Sequence, residues 1–196
     1  MYVVKFIPKI LTSWVFIFSL LQSSQGDTRP HVVFIAGEPE YGAHWSLPKI
    51  ADDLQERFNI KSTVIHSWRG GVDDFDIPGR VIPDYSDIPN LEIINEADLI
   101  VLFIRFRIPR PKQFEIFQEY FDSGKPAIAF RTTSHAFWHD ERKGWFVPFF
   151  GGHYKTHLGN AAGTTSMVPS EQLDHPILRG VPKSEYLGYG GVYLTQ

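Results

Sequence analysis

The chain has 196 residues, of which 43% are hydrophobic and 21% charged, a composition typical of one globular domain with a sizeable core. Its formal net charge is −3 at pH 7, and this slight acidity argues against nucleic acid and anionic membranes as partners. The chain contains no cysteine, which excludes disulfide bonds and any reaction that uses a thiol nucleophile.

The N-terminal segment 1–26 has the pattern of a secretory signal peptide. Lys5 and Lys9 are followed by a mostly apolar run, Ile10–Leu21, and then by small polar residues. This run is shorter than the ~20 residues that span a bilayer, although an uncleaved anchor stays an alternative. Removal of the two lysines leaves 17 basic and 22 acidic side chains, a net charge of −5. We therefore expect a secreted or periplasmic domain over residues 27–196, with no membrane contact after cleavage.

The first half of this domain shows a strand, a helix and a second strand. His31–Gly37 is a continuous apolar run ended by glycine, which is typical of a buried parallel strand. The apolar positions of Ser46–Phe58 recur with helical spacing, with Ser46 as the predicted cap and Pro48 in the first turn. Lys61–Ser67 is the second predicted strand.

The next elements continue the alternation. The Gly-, Pro- and Asp-rich residues 68–88 predict a long loop, and Pro89–Glu96 a short helical turn. Ala97–Phe106 is the most apolar predicted strand, Pro111–Gly124 a helix, and Pro126–Phe130 a buried strand. The helical spacing of three aromatic residues indicates a core face rather than a ligand-binding stripe; they are Phe114, Phe117 and Phe121.

This order predicts an α/β fold with a mainly parallel central sheet between two helical layers, a three-layer sandwich. After residue 139 the pattern weakens to glycine-rich loops and one short strand at Thr165–Val168. The sequence ends without a helix to cover the sheet, so we expect a C-terminally truncated domain.

Polar side chains follow the strands where a ligand site is expected, because open α/β sheets bind ligands beyond the carboxyl ends of their strands. The side chains that converge there are Glu38, Glu40, Tyr41 and His44 after the first strand, Arg105 and Arg107 after the third, and Arg131, Thr132, Thr133, Ser134 and His135 after the fourth. Two alternatives stay open. The acids can simply pair with the arginines, and the hydroxyls can cap the following turn.

Two histidine pairs have a spacing of four residues. "HAFWH" contains His135 and His139, and "HYKTH" contains His153 and His157. On a helix this spacing would suit a zinc site, but neither segment carries helix signals. Metal binding is therefore an alternative, and we expect no cofactor.

Several strings together resemble one known family. "VVFIAGEPEYGAHWSLPKIADDL", "ADLIVLFIRFRIP", "GKPAIAFRTTSHAF", "FFGGHYKTH" and "DHPILRGVP" occur in the order seen in the trehalose-utilisation (ThuA-like) family, over about residues 31–182. That family belongs to the class I glutamine amidotransferase-like superfamily, so the resemblance implies a flavodoxin-like fold and a carbohydrate substrate.

The resemblance also implies a set of site residues. In the superfamily, the turn after the equivalent of strand 126–130 presents a cysteine nucleophile, which this chain lacks, so we do not expect a cysteine-dependent amidotransferase. Many relatives carry an acid shortly before a tyrosine near the C-terminus, where this chain has Gly190 and Gly191 before Tyr193. The predicted catalytic residues are Glu38, His135, His153 and His157, and the predicted substrate-binding residues are Tyr41, Arg105, Arg107, Arg131, Thr132 and Thr133.

These observations lead to three hypotheses. The first is an exported protein that processes a sugar or keto-sugar derivative, with Glu38 or His135 as the acid–base group and the arginines holding an anionic or keto group. The second is a non-catalytic carbohydrate-binding or interaction module. The third is a metal-assisted hydrolase built on the histidine cluster. Assembly into a homo-oligomer is left open.

Overall fold

The computed structural model describes residues 27–38, 40–67, 87–159, 163–181, 186–189 and 191–195. The predicted signal peptide 1–26 and nearly all of the predicted loop 68–88 lie outside these residues. The strands are β1 His31–Gly37, β2 Lys61–His66, β3 Leu99–Ile104, β4 Ala127–Ala129, β5 Tyr154–His157, β6 Gly163–Ser166, β7 Tyr186–Tyr189 and β8 Tyr193–Thr195. The α-helices are α1 Ala43–Phe58, α2 Pro111–Asp122 and α3 Val147–Phe150, with short 3-10 helices at Leu91–Glu96, Arg131–His135, Ser170–Gln172 and Pro176–Leu178.

A four-stranded parallel sheet in the order β2-β1-β3-β4 forms the centre of the structure. Strand β1 is buried along its whole length, and its side chains alternate between the two faces. Val33 and Ile35 pack with α2 and the 3-10 helix Leu91–Glu96, whereas Val32 and Phe34 pack with α1. The predicted α/β sandwich with a parallel sheet is confirmed.

Helix α1 begins at Ala43, three residues before the predicted start. Gly42 precedes it with a φ of 72°, a left-handed conformation that glycine adopts without strain. Ser46 was predicted to cap the helix, but its hydroxyl donates to the carbonyl of Gly42 from inside the first turn. The prediction of the helix start was wrong because the chain enters the helix directly from the turn that follows Glu38.

The aromatic residues of α2 form a core, as predicted from their spacing. Phe117 and Phe121 are buried, and Phe114 is partly buried against the same cluster. Their rings make edge-to-face contacts with Trp145 and Phe146, from the segment after the fourth strand. These contacts hold residues 136–150 against α2.

Strand β4 was predicted to be a buried core strand, and this prediction was wrong. Ile128 and Phe130 are 50% and 37% exposed. The reason is position, since β4 is the outermost strand of the described sheet and α1 covers only its inner neighbours. Phe130 stacks on Phe103 of β3 at a ring-centroid distance of 5.4 Å.

The last part of the described chain forms two small antiparallel sheets, β5 with β8 and β6 with β7. The strand predicted at Thr165–Val168 is β6, two residues earlier. Among the described residues, no helix has the length and apolar character needed to cross a membrane.

Candidate functional site

The parallel order of the sheet brings the predicted site residues to one edge. Glu38 follows β1, Arg105 and Arg107 follow β3, and Arg131 follows β4. Ser67, which follows β2, also lies at this edge and was not predicted. The convergence follows from topology alone, because the carboxyl ends of parallel strands share one edge.

Glu38 organises the turn that leads into α1. Its side chain is fully buried, and its two carboxylate oxygens accept hydrogen bonds from the backbone N–H groups of Glu40 and Tyr41, at 2.5 Å and 2.6 Å. Burial raises the pKa of this carboxyl, while the Tyr41 N–H and the neighbouring arginines act in the opposite direction. The carboxylate therefore positions Tyr41 and has no direct contact with solvent.

Arg107 connects the ends of three segments. Its side chain is fully buried, and Nη1 donates to both the carbonyl oxygen and the hydroxyl of Ser67, at 2.5 Å and 2.8 Å. Its Nε donates to the carbonyl of Arg105 at 2.8 Å, and its backbone N–H donates to the carbonyl of Ala136. These bonds give Arg107 a structural role, and its predicted contact with substrate gains no support from them.

Arg105 forms an ion pair with Glu40 and lies over the ring of Phe106, with 4.3 Å between the guanidinium carbon and the ring centroid. This ion pair agrees with the structural alternative raised by the sequence, in which an acid of the loop after β1 pairs with an arginine at a strand end. The pair connects the turn after β1 to the end of β3.

Arg131 contacts two tyrosine rings from distant parts of the chain. Its guanidinium carbon is 4.8 Å from the ring centroid of Tyr41 and 4.7 Å from that of Tyr193, distances that allow cation–π attraction. Nε and Nη2 are buried and have no hydrogen-bond acceptor among the residues that the structure describes. A buried donor without an acceptor costs about 1–3 kcal/mol, and more when it is charged.

Thr132 and Thr133 turn their hydroxyls into the protein. Both side chains are fully buried. Thr132 Oγ1 donates to the carbonyl of Ile104 at 3.2 Å, and Thr133 Oγ1 donates to the carbonyl of Leu102 at 3.1 Å. The hydroxyls therefore hold the 3-10 helix Arg131–His135 against β3, and their predicted role in binding substrate gains no support.

His135 lies in an aromatic environment and is only 6% exposed. Its ring centroid is 4.5 Å from that of Tyr154 and 5.6 Å from that of Tyr193, and its Nδ1 is 3.2 Å from the hydroxyl of Ser134. Burial, followed by the charges of Arg105, His157 and Arg131, lowers the pKa of His135 to about 4. The imidazole is therefore neutral at pH 7 and able to accept a proton.

His153 precedes β5 and His157 is its last residue, and the two side chains have different surroundings. His157 is exposed, and its Nδ1 is 2.6 Å from the hydroxyl of Tyr154. The ring of His153 stacks on Trp138 at 6.2 Å. Within the described parts of the chain, no three His, Cys, Asp or Glu side chains lie close enough to hold a metal ion.

A cavity of about 370 Å³ opens beside Arg131, a size that suits a small-molecule ligand. Its lining combines the guanidinium with hydroxyl groups, aromatic rings and two consecutive glycines; the residues are Ala129, Phe130, Arg131, Ser134, Phe150, Gly151, Gly152, Tyr193 and Thr195. Glu38, Arg105 and Arg107 do not line it.

The antiparallel pair β5–β8 brings Tyr154 and Tyr193 to the site. Gly191, just before β8, is buried against the backbone of Leu158, and a Cβ added there would collide with the Leu158 carbonyl oxygen. A side chain therefore does not fit at position 191 in this arrangement. Glycine, and not an acidic residue, stands at position 191 because the backbone contact with Leu158 leaves no room for a side chain.

The sequence-based prediction named Ser134 among the converging side chains without giving it a role, and it missed Tyr154 and Tyr193. The tyrosine-rich string "EYLGYGGVYL" was a signal of aromatic content. It gave no indication that Tyr193 would reach Arg131, because that contact depends on the long-range pairing of β5 with β8.

No protein-family model matches the chain, and neither a curated protein nor a solved structure matches it.

Proposed function

We propose that this edge of the sheet binds and processes a sugar or keto-sugar derivative, in a protein exported through its signal-like N-terminal segment. The observation that carries the proposal is the cavity beside Arg131, where a guanidinium meets the hydroxyls of Ser134 and Tyr193. The neutral imidazole of His135 is not part of the lining, but its Nδ1 is 3.2 Å from the Ser134 hydroxyl. Hydroxyl groups suit a polyol ligand, and aromatic rings suit the apolar faces of a sugar. The resemblance to the ThuA-like family supports the carbohydrate assignment.

In this proposal His135 acts as the general base. A neutral imidazole takes a proton from the carbon next to the carbonyl group of the sugar, and the electron pair moves to the carbonyl oxygen. The guanidinium of Arg131 stabilises the negative charge that develops there. The hydroxyl proton on the deprotonated carbon then passes to the former carbonyl oxygen, and His135 returns its proton to the former carbonyl carbon, so that a new carbonyl group forms and no atom is gained or lost.

The test follows proton exchange by NMR in heavy water with the purified chain and a panel of ketoses and keto-glycosides. The wild type should exchange the proton next to the carbonyl, and His135→Gln should slow this exchange by about 10²-fold or more. His175→Gln, which changes an exposed histidine outside the cavity lining, is the matched control. If the wild type exchanges no proton and binds no sugar, the proposal is wrong.

A non-catalytic binding module is the second candidate, and two observations favour it. The carboxylate of Glu38 is buried and occupied by two backbone N–H groups. A histidine with a pKa of about 4 is also a weak base at neutral pH. Sugar binding by calorimetry, without any exchange or product after long incubation, would favour this candidate over the first.

A further inference from the structure

Two hydrogen-bond donors on one side of the Arg131 guanidinium are buried and have no acceptor in the described residues. Nε–H and one N–H of Nη2 point in the same direction, and these are the two nitrogens that lack an acceptor in the described residues. Two parallel donors of this kind match the two oxygens of a carboxylate and form a bidentate, charge-assisted pair. The vacant donor pair therefore fits an oxyanion with two oxygens side by side, and a carboxylate is the planar group of this kind.

The nearby acids of the protein do not occupy these donors. Glu38 accepts from two backbone N–H groups, and Glu40 is paired with Arg105. Both carboxylates at this edge thus have other partners, whereas Arg131 is held by the rings of Tyr41 and Tyr193. The Tyr193 side chain also forms a hydrogen bond with the guanidinium, while Nε and Nη2 have no acceptor among the described residues.

We infer that the ligand of this site carries a carboxylate, which Arg131 binds through Nε and Nη2, and that the substrate class is sugar acids such as uronates and aldonates. This inference rests on the proposed function, because it takes the carbohydrate nature of the ligand from it. The other hydroxyl groups of the lining next to Arg131, from Ser134 and Thr195, would contact the polyol part of the same molecule.

Access to the donor pair requires a movement of one side chain. Nε and Nη2 are covered from solvent, and Tyr193 packs on the guanidinium while also lining the cavity. Tyr193 belongs to the three-residue strand β8, which pairs only with β5 within the described chain. A carboxylate that enters from the cavity therefore displaces the Tyr193 ring.

The experiment is calorimetric titration of the full chain with D-glucuronate, D-gluconate, D-glucose and acetate. We expect at least one sugar acid to bind at least about 10-fold more tightly than glucose, as a bidentate charged contact provides. Arg131→Lys keeps the charge but loses the parallel donors, so it should weaken sugar-acid binding at least about 10-fold and glucose binding by less than about 3-fold. Arg57→Gln, which removes an exposed arginine paired with Asp53 on α1, is the control and should change neither.

The outcomes separate the two proposals. If glucose binds as tightly as the sugar acids, the carboxylate inference is overturned and the proposed function stands. If acetate binds as tightly as glucuronate, with the same dependence on Arg131, the carboxylate contact holds and the assignment to sugar acids is overturned. If none of the three sugars binds, the proposed function fails with it. Should Arg131→Lys fail to fold, the wild-type titrations still decide the first and third outcomes, and competition between acetate and glucuronate for the wild type decides the second.

Discussion

The buried imidazole of His135 makes the stability of the protein depend on pH. The pKa of this group is lowered from 6.5 to about 4, chiefly by burial among aromatic rings. The folded state therefore holds the ring neutral where the unfolded state binds a proton. The resulting stability is fully present above pH 6.5 and is lost as the pH falls towards 4.

The size of this effect follows from the two pKa values. Between about pH 7.5 and about pH 4.5, linkage gives up to about 2.5 kcal/mol of lost stability. Ser134, which contacts the ring, lines the open cavity, and solvent screening from that side reduces this to about 1–2 kcal/mol. The charged groups that face the ring are Arg105, Arg131 and His157, and all three disfavour its protonation when they are charged.

The assay is urea unfolding at a series of pH values for the wild type and His135→Phe. Phenylalanine keeps a ring in the contacts with Tyr154 and Tyr193 and cannot be protonated. On acidification, the free energy of unfolding of the wild type should fall by about 1–2 kcal/mol more than that of the variant. His175→Phe, at an exposed histidine, is the control substitution.

The two proteins are compared by how strongly their free energy of unfolding depends on pH. Differences that are the same at every pH, such as the lost contact with Ser134, do not affect this comparison. If the wild type and His135→Phe lose the same stability between these pH values, the imidazole is not held neutral by the fold. The description of His135 as a buried, neutral base would then be wrong, and the proposed acid–base role would lose its support.

Three further outcomes can be measured with the same unfolding assay. Gly191→Ala should lower the free energy of unfolding by about 1–3 kcal/mol, because the new Cβ collides with the Leu158 carbonyl. Gly159→Ala is the control and should change it by less than about 0.5 kcal/mol, since no atom lies within 4 Å of its Cβ. Equal effects of the two substitutions would contradict the close contact at Gly191. Thr133→Val should lower the free energy of unfolding by about 1–2 kcal/mol, because the hydrogen bonds of its hydroxyl to β3 are lost. The affinity for sugar should stay unchanged. A loss of affinity without a loss of stability would instead support the predicted binding role of Thr133. Burial raises the pKa of Tyr120 to about 12 from 10.0, so the wild type should lose more stability than Tyr120→Phe as the pH rises through this range; parallel curves would refute it.

The sheet could be predicted because its signals are local. The alternation of buried side chains along β1, with Val33 and Ile35 on one face and Val32 and Phe34 on the other, follows from strand geometry. The edge at which the site residues meet follows from the parallel order. Exposure of β4 could not be predicted, because an apolar segment such as Ala127–Ala129 has the same composition in a central and an outer strand.

The sequence could predict which residues meet at the edge of the sheet, but not which contacts their side chains make there. The sequence could place Thr133 at a strand end but could not give the direction of its hydroxyl, which depends on how the 3-10 helix Arg131–His135 lies against β3. The same holds for Glu38, whose carboxylate oxygens accept hydrogen bonds from backbone N–H groups of the turn that follows it. Tyr193 was missed because its contact with Arg131 joins residues far apart in the chain.

The buried guanidinium of Arg107 has a consequence for how ligands approach. Arginine stays charged throughout the physiological pH range, and the charges of Arg105 and Arg131 lie at the same edge. Positive charge in a concave, low-dielectric surface attracts anions from solution and raises their rate of association. This attraction should weaken with added salt, and the contribution of the three guanidinium groups stays constant between neutral and mildly acidic conditions because arginine does not titrate there.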